Sequence, residues 1–463
     1  MEESKDRISN LPDDIIDHIL FFLDMKYVVQ TSLLSRGWKY TWTSVSTLDF
    51  DTREFMSSET KQVFPFVRFL NMVLMYRGLS NLEEFRLYWD NKSNEIATYL
   101  NHWIIGALIR KVQRLVIEIE YNENLTFRLP RLLFNSSSLV KLILDISGRV
   151  VLPDSMGLPQ LKHLTLCNFI IDDVKLVNKL LSSCPVLRSL LLRDIEANTA
   201  DGVWVIEFSE LKHLEINNYG TARNIAKVIK LSTPRLKSFT CSDYTTQEYS
   251  LGNLSSLVTA SVDMKTIEDD EEELYPERMM GFLVALHNVE KLTLLSDFFQ
   301  VLSRAPNVIR SPLQFHNLRY LKLDMCFTRN CLHTLTCLLR ISHNVETIFL
   351  TLKEWNVAED GEVGLLPCGL SHLKYIEIRG LTACDNELKF LELVLKEAVV
   401  LEEMDLYFSN PEDLPDATES PDRLELVKKR SELVKKRSEL NKKFARKLRA
   451  LPRVSSCSMM LVC

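Results

Sequence analysis

A short apolar pattern, L-x-x-L-x-L with other apolar residues admitted, recurs along most of this 463-residue chain. Its copies are spaced by about 27 residues on average, so one structural unit is built repeatedly. A unit of this size cannot bury its own apolar face and must stack on its neighbours. The pattern therefore predicts a stacked repeat architecture. The thirteen copies begin at Leu82, Val112, Leu139, Leu161, Leu187, Leu211, Leu236, Leu257, Val289, Leu318, Val345, Leu373 and Leu401.

Each copy is numbered here from its first apolar residue, so its last two apolar residues stand at positions four and six. This alternation is typical of a half-buried strand, whereas residues between copies carry helical spacing, as in Val174 to Leu181 and Leu388 to Leu395. The period fits the roughly 20 to 29 residues of leucine-rich repeats. We therefore predict an α/β fold: a solenoid of strand-plus-helix modules with a curved parallel sheet. Positions four and six should form a continuous core ladder.

Positions three, five and seven point to the side of the sheet opposite the core ladder. This side, here called the open face, is the concave side of such a solenoid, where partners usually bind. Its mixture of charged, polar and aromatic residues suits a protein or peptide. Any single one of these residues is also explained as an ordinary solvated strand position, so the prediction concerns the whole face. The candidate target-binding residues are Arg114, Lys141, His163, Arg193, His213, Tyr320, Lys322, Phe349, Tyr375 and Arg379.

A helical segment of different periodicity precedes the repeats. Pro12 suits the first helical turn, and the two aspartates after it favour the positive end of the helix dipole. Apolar residues at helical spacing follow, a second helical run covers 26–34, and Trp38 and Trp42 lie four residues apart on a third predicted helix. Three short helices bury too little apolar surface to be stable alone, so a partner is expected to cover part of it.

Many positions of this N-terminal segment agree with one known module: Leu11-Pro12, Ile15-Ile16, Ile19-Leu20, Thr31-Ser-Leu-Leu-Ser35, Trp38, Trp42 and Leu48-Asp-Phe50-Asp51. Together they resemble an F-box. The resemblance implies docking to the Skp adaptor of a cullin-RING (SCF) ubiquitin ligase. Positions matching the adaptor-facing surface or its support are Leu11, Pro12, Ile15, Ile16, Leu20, Leu33, Leu34 and Trp38. Two residues depart from the family: Tyr27 replaces an acid, and Gly37 replaces a basic residue. Glycine destabilises a helix by about 1 kcal/mol relative to alanine, so the third helix should be weak.

The C-terminal region carries a second resemblance. Residues 369–380, 387–398, 400–404 and 450–456 together resemble the FBD region of plant F-box/leucine-rich-repeat proteins. In physical terms this stretch reads as a strand, a helix and another strand, which would cap the exposed end of the solenoid.

A basic segment, 423–449, interrupts that region with a net charge of +9. It contains an unchanged duplication of seven residues and reads as one basic amphipathic helix. The segment is either a solvated extension of the terminal helix or a site for nucleic acid or acidic lipid. Without it the total charge of −6 becomes −15, which favours a basic partner for the rest of the chain, or its own tail. The acidic run 268–273 reads as a solvated loop.

Sequence spacings that place phosphates, zinc or a catalytic nucleophile are absent. We therefore expect no cofactor, no metal and no catalytic activity. No apolar run is long enough to span a bilayer, and the first residues do not begin a signal peptide. A location in the nucleus or the cytoplasm, with reduced cysteines, is the corresponding expectation.

These observations divide the chain into an F-box over 5–47, a leucine-rich-repeat solenoid over 48–367 and an FBD-like region over 368–456. The predicted function is a substrate-recognition subunit of an SCF ubiquitin ligase. Its F-box would bind the Skp adaptor of the cullin-RING ligase and its open face a protein substrate, with neither nucleic acid nor membrane as a partner. One alternative is an interaction scaffold outside a ligase, which the departures at Tyr27 and Gly37 favour. Another is attachment to nucleic acid or membrane through the basic helix.

Overall fold

The computed structural model describes residues 11–54, 64–90, 96–120, 125–197, 202–220, 226–252, 254–267, 274–304, 313–326, 328–353, 369–409 and 438–462. The chain forms two compact units, Met1–Leu236 and Lys237–Cys463. The acidic run 268–273 and most of the basic segment, 423–437, lie outside the described residues.

The first unit is built on a parallel sheet. The strands of the first unit are β1 (Thr47–Asp51), β2 (Glu84–Asp90), β3 (Arg114–Glu120), β4 (Thr126–Arg128), β5 (Lys141–Val151), β6 (His163–Ile171), β7 (Ser189–Arg193), β8 (Glu196–Ala197), β9 (Val203–Glu207), β10 (His213–Asn217) and β11 (Val228–Ser232). Of these, β9 and β11 belong to a separate sheet. The main strands pair in the order β1-β2-β3-β5-β6-β7-β10, and every pair is parallel. Equivalent positions of successive copies are therefore direct neighbours, as with Leu142 beside Leu164.

Helices of the first unit lie before and between these strands. They are α1 (Asp13–Phe21), α2 (Met25–Gln30), α3 (Phe64–Tyr76), α4 (Ile96–Ile109) and α5 (Val174–Ser182). Single 3-10 turns occur at Thr31–Leu33, Thr41–Thr43, Thr52–Glu54 and Leu133–Asn135.

The second unit repeats the same plan. Its strands are β12 (Ser238–Tyr244), β13 (Glu248–Leu251), β14 (Thr259–Lys265), β15 (Lys291–Ser296), β16 (Tyr320–Met325), β17 (Thr347–Leu352), β18 (Tyr375–Leu381), β19 (Glu403–Phe408) and β20 (Ser458–Val462). Its helices are α6 (Tyr275–Ala285), α7 (Phe298–Leu302), α8 (Arg329–Arg340), α9 (Asp385–Glu397) and α10 (438–449). Strands β12-β14-β15-β16-β17-β18-β19-β20 pair in this order, again all parallel.

The core ladder predicted from the repeat is confirmed. In all thirteen copies a strand begins at position three. No side chain at position four or six is more than 4% exposed. Burial of this kind is worth about 25 cal/mol per Å² of apolar surface removed from water, so these two positions dominate the stability of each module. The α/β fold class is thereby confirmed for both units.

Some modules differ from the expected strand-plus-helix form. Between β7 and β10 the chain runs through β9 instead of a helix, and β9 pairs in parallel with β11 of the next module. The sequence explains this, because Val203-Trp-Val-Ile-Glu207 alternates in burial and is rich in β-branched residues. The helices predicted around Val174 and Leu388 are confirmed as α5 and α9.

The third N-terminal helix also differs from the expectation. Residues 35–40 form turns, and only the 3-10 turn Thr41–Thr43 follows. Gly37 lies within those turns, as expected for a residue that weakens a helix. Trp38 and Trp42 are nevertheless both buried.

At the C-terminal end, β20 adds a strand after the last predicted copy and pairs with β19. Helix α10 packs on this end through buried Phe444 and Leu448, and the Phe444 ring lies 5.8 Å from that of Phe408. Lys447 also lies 3.2 Å from Asp385 at the start of α9. The described part of the basic segment is therefore helical, with Phe444 and Leu448 covered and Leu440 exposed.

Candidate protein-binding surfaces

The predicted adaptor-binding residues divide into a buried set and an exposed set. Ile16, Leu20 and Trp38 are at most 4% exposed, so they support the helices from inside. Leu11 is half-buried. The outward-facing members are Pro12, Ile15, Leu33 and Leu34.

The exposed set is larger than the sequence indicated. Leu33 is 86% exposed and Leu34 is 57% exposed, although both are leucines. Phe21 and Phe22 on α1 are also exposed, with ring centroids 5.4 Å apart. They directly follow the Ile19-Leu20 pair, which is the signal that would have found them. Exposed apolar side chains at this density mark a surface that a partner covers.

This helical module is joined to the sheet of the first unit. Strand β1 begins five residues after Trp42 and pairs with β2, so that Leu48 lies beside Phe85 and Phe50 beside Leu87. Leu48 and Phe50 of β1 therefore occupy the places that correspond to positions four and six of the repeat. This additional strand was not recognised from the repeat pattern. In addition, Lys26 on α2 donates a hydrogen bond of 3.0 Å to the Glu54 carbonyl. Strand pairing and this hydrogen bond therefore fix the helical module to the first strands of the sheet.

The open face of the first unit begins with a charged network. Glu84 accepts hydrogen bonds from Arg86 at 2.7 Å and from Arg114 at 2.8 Å. Partial burial opposes ionisation, but these bonds outweigh it and lower the pKa of Glu84. Of the predicted target-binding residues, Arg114 is therefore already engaged within the chain.

Basic residues border this face where three successive strands begin. Position two of three successive copies, immediately before β6, β7 and β10, carries Lys162, Arg188 and Lys212. Backbone hydrogen bonds of 2.8 Å from Arg188 to Lys162 and from Lys212 to Arg188 hold the three residues in line. Within the described part of the chain none of them forms an ion pair. We call these three residues the basic row.

Three predicted residues border the basic row at position three: Lys141, His163 and His213. Lys141 is the register partner of His163. Partial burial lowers the pKa of His163, and the positive charges of Lys141, Lys162, Arg188 and His213 lower it further. The side chains are thus close enough to repel one another. Arg193 lies apart from them, at the far end of β7.

The open face of the second unit carries aromatic and acidic residues. The rings of Tyr320 and Phe349 are 5.2 Å apart, and those of Phe349 and Tyr375 are 5.5 Å apart. The Tyr375 hydroxyl donates to Glu377 at 3.0 Å and to Asp405 at 2.9 Å, so it bridges two carboxylates. Burial and then these two bonds raise the pKa of Tyr375.

The remaining predicted residues of this face are nearby. Arg379 donates to Glu377 at 2.5 Å and lies over the ring of Tyr407 at 5.1 Å from its centroid. Lys322 is the register partner of Phe349. Asp405, which the predicted set lacks, is almost fully buried and joins the cluster from β19.

Position two of the second unit carries charges of both signs. Arg319 donates to Glu346 at 2.6 Å, and Lys374 donates to the same carboxylate at 2.8 Å. Hydrogen bonds from Lys374 and then Arg319 lower the pKa of Glu346. We call these three residues the paired row.

Sequence reasoning missed the basic row because position two was assigned to neither the core nor the open face. A usable signal was present: Leu161-Lys-His-Leu164 and Leu211-Lys-His-Leu214 repeat the same basic pair, and Leu187-Arg188 lies between them. The charge remaining outside the tail, −15, is therefore distributed unevenly, with a basic area inside the first unit.

Among the residues that the structure describes, no group of three or more His, Cys, Asp and Glu side chains is placed to hold a metal ion. No helix in the described ranges has the length and apolar character needed to cross a bilayer.

Comparison with known proteins identifies three regions. Family models match the F-box domain over residues 8–49, the leucine-rich repeats of the FBD-associated F-box protein At5g56370 over 100–253 and the FBD over 362–406. These regions follow the order predicted from the sequence.

Curated relatives from Arabidopsis thaliana match along most of their length. The F-box/LRR-repeat protein At2g42720 is 30% identical over 429 residues, which cover 85% of this chain and 94% of the relative. The F-box/LRR-repeat protein At4g14103 is 32% identical over 359 residues, or 74% and 91% of the two chains. The F-box/FBD/LRR-repeat protein At1g78750 is 27% identical over 416 residues, or 87% and 89%.

Proposed function

The chain belongs to the F-box/leucine-rich-repeat protein family, and we propose that it is the substrate-recognition subunit of an SCF ubiquitin ligase. In this role the F-box binds a Skp-type adaptor, and the open face holds a target protein for ubiquitin transfer. The chain itself acts as a receptor and needs no catalytic residue, because the ligase complex supplies the transfer chemistry.

The observation that carries the proposal is the exposed apolar surface of the F-box. Leu33, Leu34, Phe21 and Phe22 are exposed, while Ile16, Leu20 and Trp38 beneath them are buried. A stable interior under an uncovered apolar surface is the arrangement expected of a preformed docking site. It also explains how so short a helical module persists, since the sheet supports it from one side and the adaptor would cover the other.

The repeats support the second half of the proposal. Both open faces present polar, charged and aromatic side chains on parallel strands with buried cores beneath them. Because the sheet already holds the backbone of these side chains in place, little conformational entropy is lost when a partner binds. This favours recognition of a folded protein or a peptide. The two alternatives, a scaffold outside a ligase and attachment through the basic helix, lack a comparable built surface among the described residues.

Binding to a Skp-type adaptor tests the proposal. We expect Leu33→Asp with Leu34→Asp to weaken adaptor binding by about thirtyfold or more, since loss of a central apolar contact costs about 2 kcal/mol or more. Isothermal titration calorimetry with the purified adaptor measures this. Leu79→Asp is the matched control, because Leu79 is an equally exposed leucine of the same unit outside the F-box, and it should leave binding unchanged.

A folded wild-type protein that fails to bind the adaptor at micromolar concentration would refute the ligase role. Adaptor binding that survives the double substitution would refute the assignment of Leu33 and Leu34.

A further inference from the structure

We infer that the basic row, Lys162, Arg188 and Lys212, is the docking site for a short, extended and acidic segment of the target protein. The assignment deepens the proposed function and rests on it, since it takes this sheet as the surface that receives the target. It names the chemistry of the target segment and the strands that bind it.

The first argument is uncompensated charge. The three cations immediately precede the adjacent strands β6, β7 and β10, and Lys141, His163 and His213 border them at position three. No described acid forms an ion pair with the row. Partial burial lowers the pKa of His163, and the charges of Lys162 and Arg188 are among those that lower it further. Such an arrangement costs stability in the free protein, and an anionic partner removes that cost.

The second argument is length. Neighbouring strands are about 4.8 Å apart, so the four neighbouring strands β5, β6, β7 and β10 span about 14 Å from first to last. An extended peptide advances about 3.3 Å per residue, so four or five residues cross this distance. Alternate side chains of such a peptide point the same way, which places two or three carboxylates over the basic row.

The third argument separates a peptide from a nucleic acid. Beside the row, the open face carries Thr165, Ser189, Ile143 and Leu191, a mixture of hydroxyl and aliphatic side chains, together with Glu215 next to Leu191. Strands β5, β6, β7 and β10 place no Tyr, Phe or Trp on that face next to the row. Binding of single-stranded nucleic acid relies on such aromatic platforms, whereas hydroxyl and aliphatic groups suit the backbone and side chains of a peptide.

The test uses the 463-residue chain, alone and mixed with its Skp-type adaptor. The probe is a fluorescent peptide of about ten residues in which glutamate alternates with serine, a length that covers the row twice over. A second peptide carries glutamine in place of glutamate. Fluorescence anisotropy at low ionic strength should show binding of the glutamate peptide only, and added salt should weaken it.

The variant Lys162→Ala/Arg188→Ala/Lys212→Ala should lower the affinity for the glutamate peptide about tenfold or more, corresponding to three surface charge pairs. The matched control, Arg319→Ala/Glu346→Ala/Lys374→Ala, changes three residues at the same register position in the second unit and should leave affinity unchanged. The charge-conserving variant Lys162→Arg/Lys212→Arg should also retain binding.

Equal binding of the two peptides, or unchanged affinity in the first variant, would overturn the inference. So would a single-stranded oligonucleotide that binds more tightly than the glutamate peptide and depends on the same three residues. Adaptor binding is measured on the same preparations. If the adaptor fails to bind while the acidic peptide still does, the ligase role is refuted and the peptide site stands. The opposite result refutes the peptide site alone.

Discussion

The basic row of the first unit and the paired row of the second occupy the same register position of the repeat. In the second unit a carboxylate stands between two cations, and Glu346 accepts from Arg319 at 2.6 Å and from Lys374 at 2.8 Å. In the first unit Arg188 takes the middle position between Lys162 and Lys212. One residue in the centre of the row therefore decides whether the charges satisfy one another or remain available to a partner.

The scaffold under the two rows is the same. Leu214 in the first unit and Leu321 in the second each occupy position four and are at most 2% exposed. The difference between the units consequently lies in the charges on the sheet and not in the core that supports it. The charges can be altered without loss of the fold, which makes the comparison testable.

The largest expected effect comes from breaking the shared core. Leu214→Ala and Leu321→Ala should each lower the free energy of unfolding by about 2 to 5 kcal/mol, because each leaves a cavity in a closely packed ladder. Urea denaturation measures the loss, and hydrogen exchange locates it in the unit that carries the substitution.

His213→Ala and Lys322→Ala serve as controls, since they remove neighbouring side chains that face away from the core. Their effect on stability should stay within about 0.5 kcal/mol. Equal losses from the leucine and control variants would contradict the core ladder.

The next effect comes from exchanging the central residue of each row. Arg188→Glu places a carboxylate between two cations, as in the paired row, and should weaken binding of the acidic peptide about tenfold or more. Glu346→Arg, made in the protein that lacks the basic row, gives the second unit three adjacent cations and should restore part of the affinity. Fluorescence anisotropy with the glutamate peptide measures both.

The same substitutions should change stability in opposite directions. Arg188→Glu should raise the free energy of unfolding slightly, and Glu346→Arg should lower it by about 1 kcal/mol, because exposed ion pairs contribute about 0.2 to 1 kcal/mol each. If Glu346→Arg restores no affinity, three adjacent cations are not sufficient for binding. Binding of the acidic peptide to the basic row then also requires the bordering residues Lys141, His163 and His213.

The smallest effect concerns the pKa of His163. Partial burial and then the surrounding cations hold this pKa below 6.5, so the unfolded chain binds more protons than the folded chain as the pH falls through that value. The contribution of His163 to stability is therefore complete above the unfolded pKa and is lost as the pH falls. Lys162→Ala should raise the pKa of His163, and bound acidic peptide should raise it further.

Titration of the imidazole signals by NMR measures this pKa, and the chain has only nine histidines to assign. Lys322→Ala, which removes a cation from the open face of the second unit, is the control and should leave the pKa of His163 unchanged. A pKa that does not respond to Lys162→Ala would mean that the charge of Lys162 does not contribute to lowering it.

Much of the fold could be predicted because the repeat has a strict local rule. Alternation of apolar residues placed a strand at position three of all thirteen copies, including the copies at Leu236 and Leu257, which match the pattern least well. Seven of the twenty strands in the described ranges were missed. Strand β1 was read as part of the helical module, β20 lies beyond the last copy, and β4, β8, β9, β11 and β13 lie between copies. The third N-terminal helix was expected and is replaced by turns around Gly37.

The candidate sites were predictable only in part. Side-chain direction along a strand follows from its period, so most open-face residues were identified correctly as exposed or half-buried. The division of the F-box residues into buried support and exposed surface required the packing of α1 and α2 against the turns that follow. Asp405 was missed because its partner Tyr375 lies 30 residues earlier in the chain.

The sequence by itself determined the repeat, the buried ladder and the F-box at its start, because each depends on residues only a few positions apart. The tertiary structure alone decided which charges are neutralised. Arg319 and Glu346 are 27 residues apart, and Glu346 and Lys374 are 28 apart. Such residues meet only because parallel strands stack in register. The same stacking brings Lys162, Arg188 and Lys212 together, and none of the acids that the structure describes forms an ion pair with them.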